Sequence, residues 1–204
     1  MAKKAPTSER IVLKGARLSF CKNLWVSSYF NAEPGPKEEK KFRSAFLLDP
    51  SKAEHAALIK TIKSEAKRIL TEAFGAELPK LSRKEVCFGN GNDLDKIYDG
   101  YKDMFFIKAS NEVRPLVANR RGELVVEGEP GAPYAGAVVN GKITLWVQNS
   151  HGRKAINANL LTVQMVQDGD SFGRPALDPE KEFEALEDAP AGAAGGDDTS
   201  MFDD

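Results

Sequence analysis

Two cysteines, two histidines and two tryptophans are all that 204 residues hold of those types, and each shortage removes a class of explanation. Cys21 and Cys87 cannot build a disulfide framework, which fits a reducing compartment. With His55 and His151 they are too scattered to make a zinc site by spacing. A nucleophile–base pair would need one of the histidines. His55 falls in the first turn of an expected helix, more often a surface position, and His151 lies in a glycine-containing loop beside Arg153 and Lys154. Neither has a nucleophile-elbow motif around it, and the chain has no Walker-type or dinucleotide glycine motif. Asp93, Asp95, Asp99 and Asp103 are clustered, but Gly91 is misplaced for a calcium loop and no bidentate glutamate closes it. A solvated loop is the ordinary reading of that cluster. Catalysis, cofactors and metals are therefore not expected. No apolar run approaches the ~18 residues of a membrane span. Met1-Ala2-Lys3-Lys4 has no apolar stretch behind it, so no secretory signal is read.

Charge is present in quantity but divided. The formal net charge is −1, from 29 basic and 30 acidic residues. Residues 176–204 hold ten acidic residues and only Lys181 as a base, a net −9, which leaves +8 on residues 1–175. A basic body with an acidic tail has physical meaning that the total conceals. At 41% hydrophobic and 29% charged, the body reads as one ordinary globule with appendages.

The body reads as strands with one helix. In residues 11–20, Ala16, Leu18 and Phe20 alternate with Arg17 and Ser19, and Gly15 suggests a bulge of the kind small barrels use at corners. After a loop through Pro34-Gly35-Pro36, residues 40–48 place Phe42, Phe46 and Leu48 on one face and Lys41 and Arg43 on the other. Ser51 and Glu54 form a capping-box pattern that starts a helix over about 51–74, with Gly75 as its stop. Further strands are expected at 104–110, at 113–117 (an edge, because of Pro115), at 124–126 and at 160–166. Asn140-Gly141, between Val138-Val139 and Ile143–Val147, is the strongest hairpin turn signal. The fold class is mainly β, a small antiparallel barrel with one inserted α-helix. The organisation is a flexible N-terminus at 1–9, a domain at 10–175 and a tail at 176–204. A short acidic helix over about 178–187 opens the tail, and disorder follows.

Binding is better supported than chemistry. If Ile143, Leu145 and Val147 are core, Trp146 points out of the barrel, where stability does not need it but base stacking does. Lys41 and Arg43 share the non-core face of their strand, and Lys108 shares a face with Phe106, which places one of that pair awkwardly. Trp25 and Tyr29 lie on the loop between the first two strands; for both, as for Trp146, core packing is the bland alternative to stacking. Phe20, Phe42, Phe46 and Phe105 read as core. Arg114, Arg120, Arg121, Arg153 and Lys154 are singly surface charges; with a body of +8 they suit a phosphate track. A tail of −9 on a Gly/Ala linker is a polyanion held near that track and should compete with nucleic acid for it. Its end, with Asp197, Asp198, Met201, Phe202, Asp203 and Asp204, combines an apolar anchor with acidic guidance and suits docking on a basic partner.

These features, with Lys41–Pro50, Tyr98–Asp103, Ser110–Pro115, Tyr134-Ala135-Gly136 and the closing strand to Asp168-Gly169, resemble the OB-fold single-stranded-DNA-binding proteins of tailed bacteriophages. The likeness is to a family first catalogued as a phage domain of unknown function, and spans about residues 10–173. It implies sequence-independent coating of single-stranded DNA in phage replication, recombination and repair, in the cytoplasm of the infected bacterial host. It also implies that the tail contacts replication proteins such as the polymerase. Related tails end on the aromatic itself, whereas Asp203 and Asp204 follow Phe202 here. Weak duplex binding and a homo-oligomer are left open. The competing expectation is a protein-interaction hub that works through its tail and touches nucleic acid incidentally.

Overall fold

In the computed structural model, residues 5–36, 38–150 and 152–173 are described. The strands are β1 (Ile11–Ser19), β2 (Phe42–Leu48), β3 (Phe88–Asn90), β4 (Phe105–Asn111), β5 (Leu116–Ala118), β6 (Val138–Ser150) and β7 (Arg153–Gln167). The helices are α1 (Lys22–Trp25) and α2 (Ala53–Phe74). β1 pairs with β2 and β6, β2 with β4, and β6 with β7, all antiparallel. A parallel contact of Ser110 in β4 with Asn159 in β7 closes the ring β1-β2-β4-β7-β6. This is a five-stranded, partly open OB-type barrel, because β4 meets β3 along its first half and β7 only near its end. The expectation of wholly antiparallel pairing is corrected at that seam and at β5, which runs parallel to β7.

Alternation does most of the positioning. Leu13, Ala16 and Leu18 of β1, Phe46 and Leu48 of β2, Ile107 and Ala109 of β4, and Ile143, Leu145 and Val147 of β6 fill the interior. Gly15 is the expected bulge: the β1–β6 register shifts between Leu13 and Ala16, φ is +64°, and its N–H donates to Asn140 Oδ1 at 3.0 Å. The apolar stripe of α2, with Ile59, Ile62, Ala66 and Ile69, joins the same core.

Several local expectations are overturned. Asn140-Gly141 is no turn, because β6 runs unbroken through it with β1 on one side and β7 on the other. Gly141 is required there by close approach: a Cβ would stand 2.5 Å from Cε1 of the buried Phe46 ring. The hairpin turn falls instead between β6 and β7, around Gly152. Ser51 does not cap α2; its N–H and hydroxyl both bond Asp49 Oδ1, and Lys52 stands at the N-cap. His55 is buried rather than at the surface, with Nδ1 accepting from the Asp49 N–H at 3.0 Å and Nε2 3.1 Å from Lys14 O. Leu124 forms only an isolated bridge with Ala118, and no strand covers 124–126. The N-terminus is not frayed from residue 6 onward. Ser8 N–H donates to Leu145 O, and Val147 N–H to Pro6 O, which lays this segment along β6. Residues 176–204, with the expected tail helix, lie outside the described residues. Among the described residues no helix is long and apolar enough to cross a membrane.

Candidate nucleic-acid interface

The outer wall of the barrel carries a row set by register. Arg43 of β2 faces Ser110 of β4, Ser110 faces Asn159 of β7, and Asn159 faces Thr144 of β6. Four neighbouring strands at about 4.8 Å spacing give a row of about 15 Å. Beside it Trp146 faces Asn157. The side chains interlock, with Asn159 Nδ2 donating to Thr144 Oγ1 and Asn157 Nδ2 to Gln148 Oε1, each at 3.3 Å. Ile143, Leu145 and Val147 are buried while Thr144, Trp146 and Gln148 are half-exposed, so the indole stands outside the core as alternation requires.

Arg43 is more than a free charge. Its guanidinium donates to Ser28 O at 2.6 Å, Tyr29 O at 3.0 Å and Ser28 Oγ at 3.3 Å, and lies 5.4 Å from the Phe30 ring centroid. Burial pulls its pKa below the ordinary arginine value, with the Glu38 charge opposing, yet the group stays cationic. It pins the β1–β2 connection to the wall and presents Tyr29 and Phe30. Phe30 is 80% exposed, and Lys40 Nζ lies 5.3 Å from the Tyr29 ring centroid. Glu38 ties the same loop, accepting from the N–H groups of Phe30 and Asn31 and from Asn31 Nδ2. Those bonds, Asn31's backbone first, hold its carboxyl below the usual glutamate range.

Lys41 lies next to the row, but its ammonium is 3.0 Å from Glu112 Oε1, so part of its charge is already paired. Lys108 and Phe106 do share the outer face. Lys108 Nζ lies 5.0 Å from the Phe106 centroid, and desolvation draws the amine below the ordinary lysine value. Arg114 is exposed just after the Ser110 end of β4. Arg120 and Arg121 are exposed in the turn after β5, beyond its pairing with Gln164, and the structure does not bring them to the row. Arg153 and Lys154 stand at the β6–β7 hairpin, where Lys154 leans over the Phe74 ring of α2 at 5.3 Å.

Trp25 is a correction. It is 7% exposed at the end of α1, which folds Leu24 and Trp25 onto the core, so it offers no face to a base. The residues that alternation does not single out are Asn157 and Asn159, whose place follows only from which strand neighbours which, and Phe30. Phe20 is also corrected: read as core, it is 44% exposed. The proposed tail anchors Asp197, Asp198, Met201, Phe202, Asp203 and Asp204 lie outside the described residues.

Residues 9–193 match the protein family described as Enterobacter phage Enc34, ssDNA-binding protein. The chain belongs to this family. It is 31% identical over 153 residues to protein p50 of Acyrthosiphon pisum secondary endosymbiont phage 1, covering 72% of this chain and 79% of that protein. Among solved structures it is similar to the single-stranded DNA-binding protein from bacteriophage Enc34 in complex with ssDNA. That match has a TM-score of 0.65 and 22% identity, over 84% of this chain and 100% of the other. A C-terminal truncation of the same protein matches with a TM-score of 0.60 and 22% identity, over 85% and 95% of the two chains. At such identity the likeness establishes the common fold, and the OB-type barrel derived above agrees with it.

Proposed function

We propose that this protein binds single-stranded DNA without sequence preference, along the outer wall that runs from Arg43 through Ser110 and Asn159 to Thr144 and Trp146. The observation that carries the reading is the half-exposed indole of Trp146 beside a polar row that ends on a cation. A flat ring stacks on any base, and cations follow the backbone, so neither contact reads sequence. Barrels of this order bind oligonucleotides across their second and third strands and the flanking loops, which here are β2, β4, the β1–β2 connection and the β6–β7 hairpin. Membership of a family described by ssDNA binding, and the likeness to the Enc34 protein solved in complex with ssDNA, support the same choice. Lys41, Tyr29, Lys108, Arg114, Arg153 and Lys154 flank the wall as further phosphate or base contacts.

The role is binding alone, in the replication, recombination and repair of phage DNA within the host cytoplasm. The acidic tail competes with DNA for the cationic wall, and its Met201-Phe202 segment recruits replication proteins such as a polymerase. Adding oligo(dT) at low salt should quench tryptophan fluorescence, and salt should restore it. Because Trp25 is buried, Trp146→Phe should remove the quench. A quench that persists in that variant, or none in the parent chain, would overturn the reading.

A further inference from the structure

Phe20 follows β1 with φ +55°, in the left-handed region where a bulky residue is a true outlier. Alternation after Ala16 and Leu18 would send its ring into the barrel; instead it meets Tyr98 and Tyr101 on the outer side. Backbone strain of this kind persists only where surrounding structure enforces it, and it collects at ligand clamps. Little burial is gained in return, for Phe20 is 44% exposed and Tyr98 is 41% exposed. Their centroids are 5.2 Å apart with planes at 81°, so the Phe20 ring stands edge to face with Tyr98.

Beneath them lies a rigid base. The Phe20 and Tyr98 centroids are 6.2 and 5.6 Å from that of Tyr101, which is fully buried and packs on Phe106 at 6.0 Å. Ala45 and Leu47 of β2 complete this cluster outside the barrel core. Cations flank it: Lys96 Nζ is 5.7 Å from the Tyr98 centroid, and Lys108 Nζ is 5.0 Å from that of Phe106. Lys108 sits two residues before Ser110 on the same face of β4, and because β4 runs parallel to β7 this is the step that leads from Asn159 to Asn157, the partner of Trp146. The aromatic cluster therefore lies on the Trp146 side of the row, at the β2–β4 end of the wall.

We infer that Phe20 and Tyr98 form a second stacking platform for unpaired nucleobases, with Lys96 and Lys108 placed for the adjoining phosphates. The inference rests on the proposed binding of single-stranded DNA. A strand engaging Trp146 at one end of the wall would run alongside the row, past Asn157 and Lys108, and lay later bases on these rings.

The test uses the full chain and oligo(dT) carrying 5-iodouracil. Irradiation should crosslink the DNA to the tryptic peptide Leu18–Lys22 or Ile97–Lys102, as well as to the peptide that contains Trp146. Crosslinks confined to the Trp146 peptide would overturn the platform. A Phe20→Leu, Tyr98→Leu double variant keeps apolar cover over Tyr101 but has no flat π-face. Its Kd should rise about tenfold or more while the slope of log Kd against log salt stays unchanged, since no phosphate contact is removed. An unchanged Kd in the folded variant contradicts the inference; if the variant unfolds, the crosslink map on the parent chain decides. Failure of the parent chain to bind any oligo(dT) at low salt would reject the DNA-binding reading itself, whereas failure of these arms alone rejects only the platform.

Discussion

Arg43 and Glu38 show how single residues turn a loop into part of a binding surface. The guanidinium takes three acceptors from Ser28 and Tyr29, and the carboxylate takes donors from Phe30 and Asn31, so the segment bearing Tyr29 and Phe30 is held from both sides. The pH dependence follows from the carboxylate. Its pKa is lowered in the folded protein, so the tie is fully present above the ordinary glutamate value and is lost as pH falls through the lowered one. Amide protection factors at Phe30 and Asn31 should therefore hold at neutral pH and collapse only once the pH falls below the ordinary glutamate range, while those of β6 persist. Equal protection of Phe30 and Asn31 on both sides of that range would show that Glu38 does not hold the loop.

Among the elements, β6 departs furthest from its local sequence signal. Asn140-Gly141 has the best local chemistry for a two-residue turn. That chemistry is overruled because β6 has partners along both edges, and both residues have other uses: Asn140 accepts from the bulged Gly15, and Gly141 gives room to Phe46. Gly141→Ala should accordingly destabilise the fold by about 1–3 kcal/mol, the usual cost of overpacking. Thermal or urea melts would measure it, and a neutral result would mean that the Phe46 ring moves aside freely. Alternation within one strand is legible, so the outward Trp146, the bulge at Gly15 and the inward faces of β1, β2 and β6 follow from sequence. Long-range placement does not. Trp25 reads as a loop residue because α1 is only four residues long, and His55 reads as exposed because its partners, Lys14 and Asp49, come from other segments. Phe20 breaks alternation through one backbone angle that no side-chain pattern encodes.

At the scale of the whole molecule, the division of charge into +8 and −9 matters more than the net −1. On the proposed reading the acidic tail competes with free DNA for the cationic surface at the high effective concentration that tethering gives. Removing residues 176–204 should thus tighten binding to oligo(dT), most clearly at low salt, as read by titration of the two chains side by side. Weaker binding after truncation would make the tail part of the DNA site or of a contact between copies. The proposed function places unpaired DNA on the barrel's outer wall, held by stacking and phosphate contacts. The most direct test is one titration of the full chain against oligo(dT) and a duplex of equal length across a salt series. Binding to the single strand should be tighter, with log K falling linearly in log salt at about 0.7 per phosphate neutralised. No binding at low salt, or equal affinity for the duplex, would contradict it.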